Sequence, residues 1–122
     1  MKPVFKVICQ AEEKYREISE QGNKENKIIL KKFEFFKEKI KVDITYGEII
    51  KKSVLDKNQR LINNFFQKYG YNELLPLDNC FCCDLTRTEW RMLYTISRDI
   101  DSTVYVLCFM IVDHKTYEKY FT

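Results

Sequence analysis

The sequence predicts an α+β fold: an N-terminal strand, a helical hairpin, then an antiparallel β-meander. Three observations lead there. Val4 to Cys9 is a short β-branched run bounded by Pro3, residues 11–40 carry apolar side chains at spacings of three and four, and the last third holds three runs rich in aromatic and β-branched residues. The 122 residues fit a single domain spanning 1–122. An apolar content of 45% with 15% aromatics supplies a core and excludes wholesale disorder.

Each element follows from local pattern. Ala11, Tyr15 and Ile18 mark one face of a first helix, which Gly22-Asn23 breaks. Ile29, Phe33, Phe36 and Ile40 mark a second, whose other sides carry Lys31, Lys32, Lys37 and Lys39. Two adjacent amphipathic helices with a tight break form a hairpin. Residues 42–79 are less regular: a basic turn at Gly47 to Lys52, a short helix over Gln59 to Tyr69, then punctuation at Gly70, Asn72 and Pro76. Strands are expected at Phe81–Leu85, Trp90–Ile96 and Val104–Val112, joined by loops at 86–89 and 97–102. The last run, VYVLCFMIV, is apolar throughout and reads as a central strand covered on both faces, in a sandwich of helices on one sheet. A short polar and aromatic segment, Asp113 to Phe121, ends the chain.

No apolar run reaches the length of a membrane span, and the apolar stretch at the N-terminus is too short for a signal peptide. A cytoplasmic protein without membrane partners is expected. The five cysteines are odd in number, and Cys80, Cys82 and Cys83 crowd together, which suits neither a secreted disulfide framework nor a zinc site. Strand alternation sets Cys80 and Cys82 on one face and Cys83 on the other. Free buried thiols are the favoured reading, with no metal and no cofactor.

The net charge of +3 argues little, but its distribution argues more. Residues 24–60 hold eleven Lys/Arg against six Asp/Glu, whereas 1–23 balance and 61–79 and 80–122 each carry −1. A basic middle segment suits an anionic partner such as nucleic acid; a solvated lysine-rich helix face is the plainer account. On a strand, Arg91, Leu93 and Thr95 face one way and Trp90, Met92, Tyr94 and Ile96 the other. Arg91 is then either an anion-binding residue or a structural arginine reaching a carboxylate. His114, the sole histidine, lies just past the buried strand, where a general acid or base could stand, although a lone histidine is commonly structural. Gly47 to Lys52 offers Lys51 and Lys52 beside a flexible glycine, or simply a solvated basic turn. With three glycines in the chain, no glycine-rich phosphate loop can form.

The run Trp90-Arg91-Met92-Leu93-Tyr94-Thr95-Ile96, a hairpin, Val104 to Val112, and Asp113-His114-Lys115-x-Tyr117-Glu118-x-x-Phe121 together resemble the C-terminal half of the RelE/ParE toxin superfamily. A starting strand, a helical hairpin, the turn at Gly47 to Lys52 and the Tyr-rich stretch Tyr69 to Leu75 extend the likeness over nearly the whole chain. The resemblance implies a RelE-like small toxin fold. It also implies a metal-independent endoribonuclease, an mRNA interferase that cuts messenger RNA in the ribosome, inhibits translation and is neutralised by a cognate antitoxin. The implied reaction is attack of a ribose 2′-hydroxyl on the adjacent phosphate, which needs a base, an acid and cations for the phosphorane charge. By the same resemblance Arg91 would hold the scissile phosphate, His114 would act as acid or base, and Tyr117 would stack on a base or orient the ribose. Lys51, Lys52 and Lys115 would add electrostatic stabilisation, and Glu48, Lys51 and Lys52 compete for the part of the base. Gyrase-directed members share the fold without the nuclease residues, so the alternative is a non-catalytic toxin that blocks a protein target. A plain nucleic-acid-binding domain is the third reading.

Overall fold

The computed structural model describes residues 2–70, 79–87 and 89–122. Its elements are β1 (Val4–Val7), α1 (Cys9–Glu20), α2 (Lys24–Val42), β2 (Glu48–Ile49), α3 (Lys52–Lys57), α4 (Gln59–Lys68), β3 (Cys80–Asp84), β4 (Trp90–Arg98), β5 (Val104–Asp113) and α5 (His114–Phe121). The expected α+β class is present, built on one five-stranded mixed sheet of order β1-β5-β4-β3-β2. β1 runs parallel to β5, and the other three pairings are antiparallel. The Tyr-rich stretch falls mostly on 71–78, outside the described residues, so only Tyr69 and Gly70 of it are placed.

Local chemistry accounts for the joints. Asn23 caps α2 by accepting the Asn26 backbone N–H at 2.8 Å, which is why the Gly22-Asn23 break restarts a helix at once. β1 stops opposite Cys108, and beyond it the Gln10 side chain takes over the β5 edge. Its Nε2 donates to the Ile111 carbonyl at 2.8 Å, and its Oε1 accepts the Ile111 N–H at 2.7 Å. A side-chain amide thus satisfies backbone groups that a longer strand would have paired.

Helices cover the sheet on both sides. Ile18, Ile29, Phe33 and Ile40 from α1 and α2 pack on Met92, Tyr94, Ile96 and Val106. Across the sheet, Leu55, Ile62, Phe66 and Phe121 from α3, α4 and α5 pack on Leu93, Phe109, Met110 and Val112. The wholly apolar β5 had required cover on both faces; the second layer is what supplies it. β5 also carries a one-residue bulge. Leu93 pairs Met110 and Tyr94 pairs Cys108, so Phe109 has no partner and joins Met110 in the second core.

All five cysteines are free; four are buried and Cys82 is half-buried. Cys80 belongs to one core and Cys83 to the other, as alternation required. Among the described residues no group of three His, Cys, Asp or Glu side chains could hold a metal ion. Burial pushes the Cys80 and Cys108 thiols far above their ordinary 9.0, and neither exposes any surface. Unfolding returns them to the ordinary value, so above pH 9 the unfolded chain binds fewer protons and stability falls as pH rises. Each thiol should cost up to about 1.4 kcal/mol per pH unit in that range. Urea midpoints between pH 8 and 11 should therefore fall more steeply for the wild-type chain than for Cys108→Ala; parallel profiles would refute the assignment.

Candidate functional site

Arg91 is the second residue of β4 and stands opposite Asp84, the last residue of β3. Its Nε lies 3.1 Å from Asp84 Oδ1, an ion pair. Its guanidinium carbon lies 4.3 Å from the centre of the Tyr117 ring. Tyr117 reaches that position because α5 begins immediately after β5. Asp113 caps the helix by accepting the Thr116 N–H at 2.8 Å, and the His114 N–H donates to the Glu89 carbonyl. Tyr117 then sits one turn into α5 and stacks on Phe121, ring centres 5.5 Å apart, with Phe121 buried below it.

The opposite wall is the segment from β2 to the start of α3, which contributes Glu48, Ile50, Lys51 and Val54. With Arg91, Asp84, Tyr117 and Cys82 these enclose a cleft of about 270 Å³. Gly47 sets the position of that wall. It is not the flexible hinge its sequence context suggested. Its N–H donates to the Tyr94 hydroxyl at 3.0 Å, and that hydroxyl donates to the Ile44 carbonyl at 2.9 Å. A Cβ at Gly47 would lie 3.1 Å from the Cys82 carbonyl oxygen, the Cys83 Sγ and the Phe81 Cβ. Gly47→Ala should cost about 1–2 kcal/mol, because a ladder carbonyl cannot withdraw without loosening β2 from β3. Chemical denaturation checks it; an unchanged midpoint would mean the neighbours give way.

Four charged groups line the cleft, Arg91 and Lys51 against Asp84 and Glu48. Asp84 is committed to Arg91, whereas among the described residues the Glu48 carboxylate makes no ion pair. Burial pushes the Cys82 thiol up to about 12, against the pull of the Arg91 charge. Burial likewise raises the Tyr117 phenol, which Arg91 again opposes. Both are neutral at physiological pH, so the ionised groups decide what the cleft attracts.

Of the residues singled out in the sequence, Arg91, Tyr117, Lys51 and Glu48 therefore meet. His114 and Lys115 line a separate depression with Glu25, Glu89 and Trp90. There His114 Nε2 lies 2.9 Å from Glu118 Oε1, its buried Nδ1 has no hydrogen-bond partner among the described residues, and its ring stacks toward Tyr117 at 6.5 Å. Lys52, exposed at the first position of α3, lines neither. Asp84 was missed in the sequence, although hairpin symmetry around 86–89 sets it across from Arg91. Phe121 was missed as the support beneath Tyr117; the three- and four-residue spacing of His114, Tyr117 and Phe121 was its signal.

No protein-family model matches the chain, nor does any curated protein or solved structure.

Proposed function

We propose that this chain is a RelE-like toxin of a toxin–antitoxin pair, a metal-independent and ribosome-dependent messenger-RNA endoribonuclease that inhibits translation. One observation carries the proposal: Arg91 is ion-paired with Asp84 and set against the Tyr117 ring, in a cleft that also contains Lys51 and Glu48. A guanidinium fixed in that way presents its remaining donors to a phosphate, whose oxygens match the fork. The order of strand, helical hairpin and three-stranded meander is compatible with the RelE-like fold, to which α3 and α4 add a second helical layer.

In the proposed reaction the ribose 2′ oxygen attacks phosphorus as the bond to the 5′ oxygen breaks, leaving a cyclic phosphate and a 5′-hydroxyl. Glu48 accepts the 2′ proton and the Lys51 ammonium supplies one to the departing 5′ oxygen. Arg91 stabilises the charge that builds on the phosphorane, and Tyr117 offers its ring to a neighbouring base. His114, outside the cleft lining, holds the α5 end that carries Tyr117. The partners are messenger RNA on the ribosome and a separate antitoxin. Among the described residues no helix is long and apolar enough to cross a membrane, in keeping with a cytoplasmic site of action.

Induced expression with growth and transcript 5′ ends followed together tests the proposal. Growth arrest with new 5′-hydroxyl ends on translated messages is expected. Arrest with intact transcripts would move the target to a protein such as gyrase, and unimpaired growth with intact transcripts would discredit the toxin reading.

A further inference from the structure

We propose that Asp84 is both the positioning residue for Arg91 and the residue that makes the cleft select an internal phosphodiester over a terminal phosphate. The inference rests on the phosphate-binding role of the cleft given above. Two observations carry the positioning role. Arg91 and Asp84 form an ion pair, Nε to Oδ1 3.1 Å, across directly paired positions of β3 and β4. Tyr117 covers the guanidinium at 4.3 Å. With Asp84 beside Nε and the Tyr117 ring against the guanidinium carbon, the terminal nitrogens are the groups that can grip two oxygens of a single phosphate.

The second consequence is one of charge. Arg91 and Lys51 are balanced by Asp84 and Glu48, so the cleft is neutral overall. A phosphodiester brings one negative charge to the two cations. A terminal phosphate brings close to two at neutral pH, and its second charge meets two carboxylates with no further cation to offset them. The Asp84 side chain is 61% exposed, so water weakens this repulsion, and discrimination of about tenfold is expected. A cleft with Arg91 and Lys51 alone would prefer the opposite ligand. Asp84 therefore makes chain ends poor competitors for the site.

Thymidine 3′-phosphate and its methyl ester differ by one charge and one methyl group, and neither has a 2′-hydroxyl, so binding is read without cleavage. Equilibrium titration by NMR with the full chain should show the ester binding about tenfold more tightly. Asp84→Asn removes the charge but leaves an amide of the same shape beside Arg91, so both anions should bind more tightly and the monophosphate by more, bringing the ratio toward one. Asp84→Ala removes the anchor as well and should weaken both ligands. A monophosphate bound as tightly as its ester by the wild-type chain, or a ratio unmoved in Asp84→Asn, overturns the role of Asp84. Binding of neither compound, or binding that survives in Arg91→Ala, overturns the phosphate-site reading itself.

Discussion

Arg91→Ala should lower RNA cleavage by about 10²–10³ while leaving the chain folded. The rate loss follows from its position. Arg91 is the cleft's only fork-shaped donor among the described lining residues, and Lys51 offers a single ammonium that cannot bind two oxygens in a plane. Stability should hardly change. The Asp84 partner left behind is 61% exposed and is readily solvated, and the lost stacking on Tyr117 is worth about 1 kcal/mol. Arg91→Lys should restore little, because a point charge replaces a fork. Lys52→Ala should remain within a few-fold of wild type, and His114→Ala should fall short of the Arg91→Ala loss, since neither lines the cleft. Cleavage of a translated message in a ribosome-containing extract, with thermal melts run in parallel, gives both readings. An active, folded Arg91→Ala would remove the cleft from the mechanism.

Much of this site could be read before any coordinates, and the remainder was hidden for definable reasons. Alternation along β4 turned Arg91 and Leu93 away from Met92, Tyr94 and Ile96, and those residues do divide between the two faces. Spacing located α1, α2 and α4 within a residue or two. By contrast, α5 is only eight residues long and rich in aromatic and charged side chains, so its helical spacing was masked by its shortness. Its Asp113 cap was the usable signal. The bulge at Phe109 exists only in the pairing of β5 with β4, and a uniform apolar run gives no hint of a parity change. Gly47 illustrates the deepest gap. A glycine beside lysines looks like a hinge, and only the approach of β3 reveals that the absent side chain is what lets β2 dock. Site residues that act through cross-chain register, Asp84 and Gly47 above all, are the ones that local pattern conceals.

Phe33→Ala should destabilise the chain by about 3–5 kcal/mol, a large part of the roughly 5–15 kcal/mol that holds a domain together. Phe33 exposes no surface and lies at the centre of the first helical layer. Its ring centre is 6.0 Å from that of Phe5 and 5.2 Å from that of Tyr15, so truncation opens a cavity walled by β1, α1 and α2 together. Phe36 and Trp90 pack against the same cluster but are only half-buried. Their alanine variants should cost less, by urea midpoint, because water already reaches part of each ring. Phe33 also lies across the sheet from the cleft, whose Ile50, Cys82, Tyr117 and Phe121 belong to the second core. Phe33→Leu, which keeps most of the volume, should therefore lower the midpoint modestly and leave cleavage per folded molecule unchanged. A loss of specific activity in Phe33→Leu at full folding would mean that the two layers are coupled through the sheet. Equal specific activity would mean that the face bearing α1 and α2 serves stability alone, and that the chemistry belongs to the face closed by α3, α4 and α5.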